Sequence, residues 1–158
     1  MSRTTANIIK TSTLCLVKAG ALCLSIICLM TMAGCMENSK ELTTEAAKLI
    51  NIDHNYEKGK ELLTEAIKMD ENNAKAHKNM AFLLIRGKNT QKALEHLLKA
   101  IKIKPDYGEA HINLSLLYYM EKNYKKAVEH MELALDNGFP VDLRYRQKLD
   151  DYRFSDKK

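Results

Sequence analysis

Few side chains in this chain are equipped for chemistry, and their spacing decides what each one is worth. Five histidines are present, and imidazole is both a common metal ligand and a common general base. His77 and His111 stand 34 residues apart, and His96 and His130 repeat that interval. Residues recurring at a fixed interval are placed by the repeat that carries them, and no cysteine or aspartate cluster lies nearby to complete a metal shell. These four are read as structural or surface histidines. Gly87-Lys88-Asn89-Thr90 fails as a phosphate loop, because Phe82 holds the place of the leading glycine and Asn89 separates lysine from threonine. Asp70-Glu71-Asn72-Asn73 lacks the glycine and final glutamate of a calcium loop. No catalytic residue, metal or cofactor is assigned, and the chain is expected to be non-enzymatic.

The thiols carry a different message. Cys15, Cys23 and Cys28 precede Cys35 and no cysteine follows it, so the chain beyond Cys35 has no partner for an internal disulfide. Arg3, Lys10 and Lys18 are the only charged residues before Cys35, and without them the net charge falls from +5 to +2. That is too small and too scattered for a phosphate-backbone footprint, so no nucleic-acid partner is expected. Residues 19–33 (AGALCLSIICLMTMA) are uncharged and largely apolar, and Gly34-Cys35 follows. A basic start, an apolar run and small residues are the order of a secretory signal.

Met32-Ala33-Gly34-Cys35 resembles the lipobox of bacterial lipoprotein precursors, with methionine where leucine is usual. The resemblance implies that residues 1–34 are a signal peptide, that Cys35 is the site of lipid attachment, and that a lipid anchor holds the protein in the cell envelope. Several acyl chains together anchor stably where one is marginal. Met36, in place of an aspartate, implies the outer membrane, facing the periplasm of a Gram-negative cell. The alternative is an uncleaved anchor, since the uncharged run from Ala19 to Met36 is just long enough to span a bilayer.

The rest of the chain repeats itself without a gap as residues 40–73, 74–107 and 108–141. Asn55, Asn89 and Asn123 share one column; Lys58, Lys92 and Lys126 another; Glu61, Glu95 and Glu129 a third; Ala66, Ala100 and Ala134 a fourth. Small residues fill two more columns, Ala47, Ala81 and Ser115 in one and Gly59, Ala93 and Ala127 in the other, where two helices of a block must approach closely. Leu63, Leu97 and Met131, with Ile50, Leu84 and Tyr118, fill the space around that contact. Each block therefore holds a helix A over its first half and a helix B over its second. The shared asparagine suits the N-cap of helix B, its side-chain oxygen accepting a first-turn N–H. The shared lysine and glutamate make an i,i+3 pair on a solvated face.

This spacing resembles the tetratricopeptide repeat, a helix-turn-helix unit with small and large apolar residues at fixed places. The second block matches as His77, Met80, Ala81, Leu84, Ala93, Leu97, Ala100 and Pro105; the third as His111, Leu114, Ser115, Tyr118, Ala127, Met131 and Ala134, with Pro140 one place late. The first block matches least, and Gly59 inside its helix B predicts that this end frays first. The resemblance implies an all-α solenoid of three repeats, with residues 35–39 as lipidated cysteine and short tether. Residues 142–158 become a capping helix and tail, covering the third repeat with Leu143, Tyr145, Leu149 and Tyr152.

In that family the A helices line a concave groove. The matching positions are Lys75, Lys78, Asn79, Phe82, Ile85 and Arg86 in the second repeat, and Glu109, Ile112, Asn113, Leu116, Tyr119 and Met120 in the third. Such a groove would be basic at its middle and apolar toward its C-terminal end, fitting a partner segment with apolar anchors and an acidic flank. The family's carboxylate clamp is not matched: Thr44, Lys48 and Glu109 stand in its places and only Asn79 fits. Phe82, Ile112, Leu116 and Tyr119 have an alternative role as packing between repeats. The expectation is a membrane-anchored adaptor whose partner is another envelope protein or peptide segment. The alternative is an assembly factor or pilotin for an outer-membrane secretion or pilus complex.

Overall fold

The computed structural model describes residues 34–155. The expected signal peptide therefore lies almost wholly outside the described residues. Two compact units divide after Glu37, and residues 34–37, all that is described of the first, are helical and exposed. In the second unit α1 takes in residues 38–51, followed by α2 (Tyr56–Met69), α3 (Ala74–Arg86), α4 (Thr90–Ile103), α5 (Gly108–Met120), α6 (Tyr124–Asp136) and α7 (Leu143–Ser155). The described residues contain no β-strand. No helix among them is long and apolar enough to cross a membrane.

The helix breaks fall where local chemistry demands them. Asn55, Asn89 and Asn123 accept the N–H groups of Lys58, Lys92 and Lys126 and so cap α2, α4 and α6, as the shared column predicts. The residue before each cap, His54, Lys88 or Lys122, takes a positive φ. The chain then folds back so that the Asn89 N–H reaches the Leu84 carbonyl and the Asn123 N–H that of Tyr118, each at 2.8 Å, satisfying carbonyls the helix end would orphan. Lys104, ahead of Pro105, is extended and stops α4, because proline disfavours a helical residue before it. These short turns make each helix pair an antiparallel hairpin.

Packing follows the columns. Ala66, Ala100 and Ala134, the small pair Ala81 and Ala93, and Leu63 and Leu97 are fully buried, and Met131 nearly so. Ser115 is buried too, its hydroxyl donating to the Ala127 carbonyl at 2.6 Å and so joining α5 to α6. The core falls into two clusters, one around Leu63 and Met80 and one around Leu97, Leu114 and Leu149, with Leu84 packed against both.

Two expectations at the ends are corrected. Asn38 and Ser39 are not tether: they are helical, and Ser39 is buried, donating to the Ala66 carbonyl at 2.8 Å. Asn73 caps α3 through its oxygen while its amide nitrogen donates to the Ser39 and Thr43 hydroxyls at 2.9 and 3.0 Å. This polar seam ties the first repeat to the second, and Gly59 admits the close approach of Ile50, since a Cβ there would stand 2.7 Å from the Ile50 side chain. At the other end α7 does cover the third repeat, Leu149 fully buried and Tyr145 half-buried, but Leu143 is 79% exposed and covers nothing.

Candidate functional site: the groove along the A helices

One recess of about 260 Å³ is lined by the A helices of all three repeats. α1 contributes Ala47, Ile50 and Asn51; α3 contributes Lys78, Asn79 and Phe82; α5 contributes Glu109, Ile112 and Asn113; Phe139 closes one end. The spacing of about one helical turn between Asn79 and Phe82, and between Glu109 and Ile112, puts these side chains on one face of each helix. Phe82 is 38% exposed beside the recess floor.

Asn79 is the chemically distinctive residue of this recess. It is 93% buried by its 7% relative exposure, and its amide nitrogen has no hydrogen-bond partner. A buried donor left unpaired costs about 1–3 kcal/mol, so it is a natural place for an incoming acceptor. The neighbouring charge is already satisfied: Lys78 Nζ lies 2.7 Å from Glu109 Oε2, joining α3 to α5. Lys78, one of the three cations expected with Lys75 and Arg86 to make the groove middle basic, is thus neutralised by a carboxylate that the repeat period brings alongside.

The other residues expected in the groove are dispersed. Lys75 is exposed outside the recess. Arg86 lies 4.3 Å above the Tyr56 ring and 6.0 Å from that of Phe82, in a separate recess between α2 and α3. Leu116 and Met120 are exposed beyond the recess. Tyr119 packs edge-on against Tyr124 and Tyr145, at 5.5 and 5.6 Å, and serves the seam under α7. Ile85 packs against the main core. Phe139 was not foreseen, since it follows helix B; only the glycine at 108, which leaves it room, marks it in the sequence.

The histidines meet within repeats. His77 Nδ1 lies 2.9 Å from His96 Nδ1, and His111 Nδ1 lies 3.1 Å from His130 Nδ1. Burial lowers the pKa of His77, His96 and His130 below the ordinary histidine value, since an imidazolium loses hydration there. Tyr145, whose hydroxyl is 2.7 Å from Ser115 Oγ, is raised by burial, and Tyr107 is pushed up to about 12 by burial and by Glu109. Each of these shifts favours the neutral form of its group.

Stacked antiparallel hairpins with a recess along one helix layer define a helical-repeat solenoid of the kind that presents binding surface rather than a catalytic pocket. Tetratricopeptide-repeat family models match residues 52–106 and residues 108–137. The chain is a tetratricopeptide-repeat protein. Its fold is similar to the first such domain of Spaghetti (RPAP3) bound to an HSP90 peptide, SRMEEVD, with a TM-score of 0.66 at 16% identity, covering 77% of this chain and 95% of that one. It is similar to the TPR2B domain of yeast Sti1 in complex with pHsp70, with a TM-score of 0.61 at 20% identity over 77% and 99% of the two chains. It is also similar to pilF of Pseudomonas aeruginosa, with a TM-score of 0.61 at 19% identity over 68% of this chain and 49% of that one. No curated protein matches the sequence.

Proposed function

We propose that this protein is a non-enzymatic adaptor that holds a segment of another cell-envelope protein in the groove along its A helices. The observation that carries the reading is Asn79, a buried amide without a partner on a floor shared by three repeats. One similar fold is bound to an HSP90 peptide and another is in complex with pHsp70. The segment that suits this groove is not acidic, because Glu109 already pairs with Lys78. It offers an apolar side chain against Phe82 and Ile112 and a backbone or amide carbonyl to Asn79. Affinity capture from envelope fractions tests the reading. An Asn79→Ala, Phe82→Ala variant is expected to lose the partner at least tenfold, while Leu143→Ala retains it; equal recovery by all three proteins overturns it. Retention of the partner in 0.5 M salt is expected for an apolar, neutral segment, because screening removes only charge attraction.

The same reading places the adaptor at the membrane through lipid on Cys35, which is exposed, in the outer membrane if the cell is Gram-negative. Cys35→Ala is expected to leave an unlipidated precursor, and normal acylation of that variant would refute the anchor.

A further inference from the structure

The turns that join helix A to helix B form an edge of the solenoid with a charge of its own. Ile52, Arg86 and Met120 stand 34 residues apart where the A helices end. His54, Lys88 and Lys122, the residues of positive φ, repeat that interval, and so do Lys58, Lys92 and Lys126 in the first turns of α2, α4 and α6. The A helices lie side by side along the groove, so these tips fall in a row, roughly 10 Å from one to the next. With Lys60 and Lys125 the row gathers eight cations against three carboxylates, Asp53, Glu57 and Glu121. Its net +5 exceeds the +2 of the whole chain from Cys35 onward. All eight cations are exposed, and among the described residues none is held in an ion pair. The carboxylate column of Glu61, Glu95 and Glu129 stands a further turn along helix B, away from the tips. Charges scattered in the sequence are thus gathered by the period.

A recess of about 410 Å³ opens in this row between the first two tips, with Leu83 and Leu84 in its wall and Lys60 and Arg86 beside them. Arg86 is held in place there. Its guanidinium lies 4.3 Å over the Tyr56 ring, and the Tyr56 hydroxyl is 3.3 Å from His54 Nδ1. Stacking covers the flat face of the guanidinium and leaves its N–H edge, the part that forks a carboxylate. Glu57 lines the same recess without pairing with either cation. We infer that this edge is a second docking site, which takes an extended acidic segment of a partner protein, one carboxylate on Arg86 and a neighbouring apolar side chain in the recess. An extended chain covers about 10 Å in three residues, so acidic residues three apart meet successive tips. Ile52 and Met120, 67% and 60% exposed, offer apolar contact at the outer tips. Apolar groups set among the cations favour a protein segment over a nucleic acid, whose phosphate backbone has no side chain to place against them, and a recess is filled by a side chain rather than by a flat layer of lipid headgroups. The inference stands apart from the groove, since the two recesses share no residue. The groove suits a segment that is not acidic, so the two sites sort different segments.

Fluorescence anisotropy of a labelled peptide, about nine residues long with glutamate at every third position and alanine or leucine elsewhere, titrated with the full chain, tests the assignment. Affinity is expected to fall at least tenfold when glutamine replaces glutamate in the peptide, when the protein carries Arg86→Gln and Lys122→Gln, or in 0.5 M salt, because screening removes charge attraction. Lys68→Gln with Lys102→Gln removes the same charge from the last turns of α2 and α4, at the opposite edge, and is expected to bind within about twofold of wild type. Equal loss in both double variants, or no preference for glutamate over glutamine, overturns the site. Capture by phosphatidylglycerol vesicles that Arg86→Gln with Lys122→Gln abolishes, without binding of the peptide, also overturns it and assigns the edge to lipid. NMR of the unmutated chain gives an answer that does not depend on any variant: the peptide is expected to shift the ring signals of Tyr56 and spare those of Phe139, which lines the groove, and the reverse pattern refutes a second site.

Discussion

Lys88 and Lys122 adopt φ of 59° and 60°, a backbone that glycine enters without a Cβ clash and lysine does not. Both are exposed, so their side chains offer little packing in return. Lys88→Gly and Lys122→Gly are each expected to raise stability by up to about 1 kcal/mol, the relief of strain exceeding the extra freedom of an unfolded glycine; urea midpoints check this. The sequence hides these sites because glycine usually marks such a helix end and here it stands one place earlier, at Gly87, or is missing. The asparagines that follow were legible, since capping is a property of a single side chain and its own first turn. His77, His96 and His130 titrate in the opposite sense to a stabilising ion pair: their depressed pKa values mean that the fold prefers these rings neutral, so this contribution is complete above the unfolded value of 6.5 and is lost as pH falls through the lower folded values. The urea midpoint is expected to fall between pH 7.5 and pH 5, and the His96→Asn, His130→Asn double variant is expected to flatten that slope.

At the scale of the helix, close approach decides what can be changed. A Cβ on Gly108 would meet the Cβ of Phe139 at 2.6 Å, a contact that rotating the ring does not relieve. Gly108→Ala is therefore expected to destabilise the third repeat by about 1–3 kcal/mol, the usual cost of overpacking, despite alanine's better helix propensity. It would also shift Phe139 at the end of the groove, so calorimetry and partner capture should both register the change. Much of this scale was readable from the sequence. The small columns, the buried columns around Leu63, Leu97 and Met131, and the division into two helices per block all follow from a period that local packing enforces. What escaped reading was contact between elements of different repeats. Nothing local to Asn73 shows that its amide reaches Ser39 and Thr43, and nothing local to Lys78 shows Glu109 waiting on the next A helix. For the same reason the sequence named Asn79, Ile112 and Asn113 for the recess but placed Tyr119 there too, where the aromatic seam claims it.

Over the whole molecule, each helix packs on its neighbours in sequence and on the next A helix, so stability passes along the stack from repeat to repeat. The end therefore matters as much as the middle. Among the described side chains of α7, Leu149 alone is fully buried and apolar, and it belongs to the main core cluster. Leu149→Ala is expected to cost about 2–5 kcal/mol, and hydrogen exchange should show α7 and the third repeat opening before α2 and α3. The gapless register has a further consequence. Asn73 reaches back to Ser39 across 34 residues, one full unit, and each repeat presents the same kind of small and apolar positions to the one that follows. The protein is thus a ruler with a single graduation: inserted copies of residues 74–107 would lengthen the groove by roughly 10 Å each, the distance between packed helices, whereas an insertion of any other length would misalign every mark beyond it.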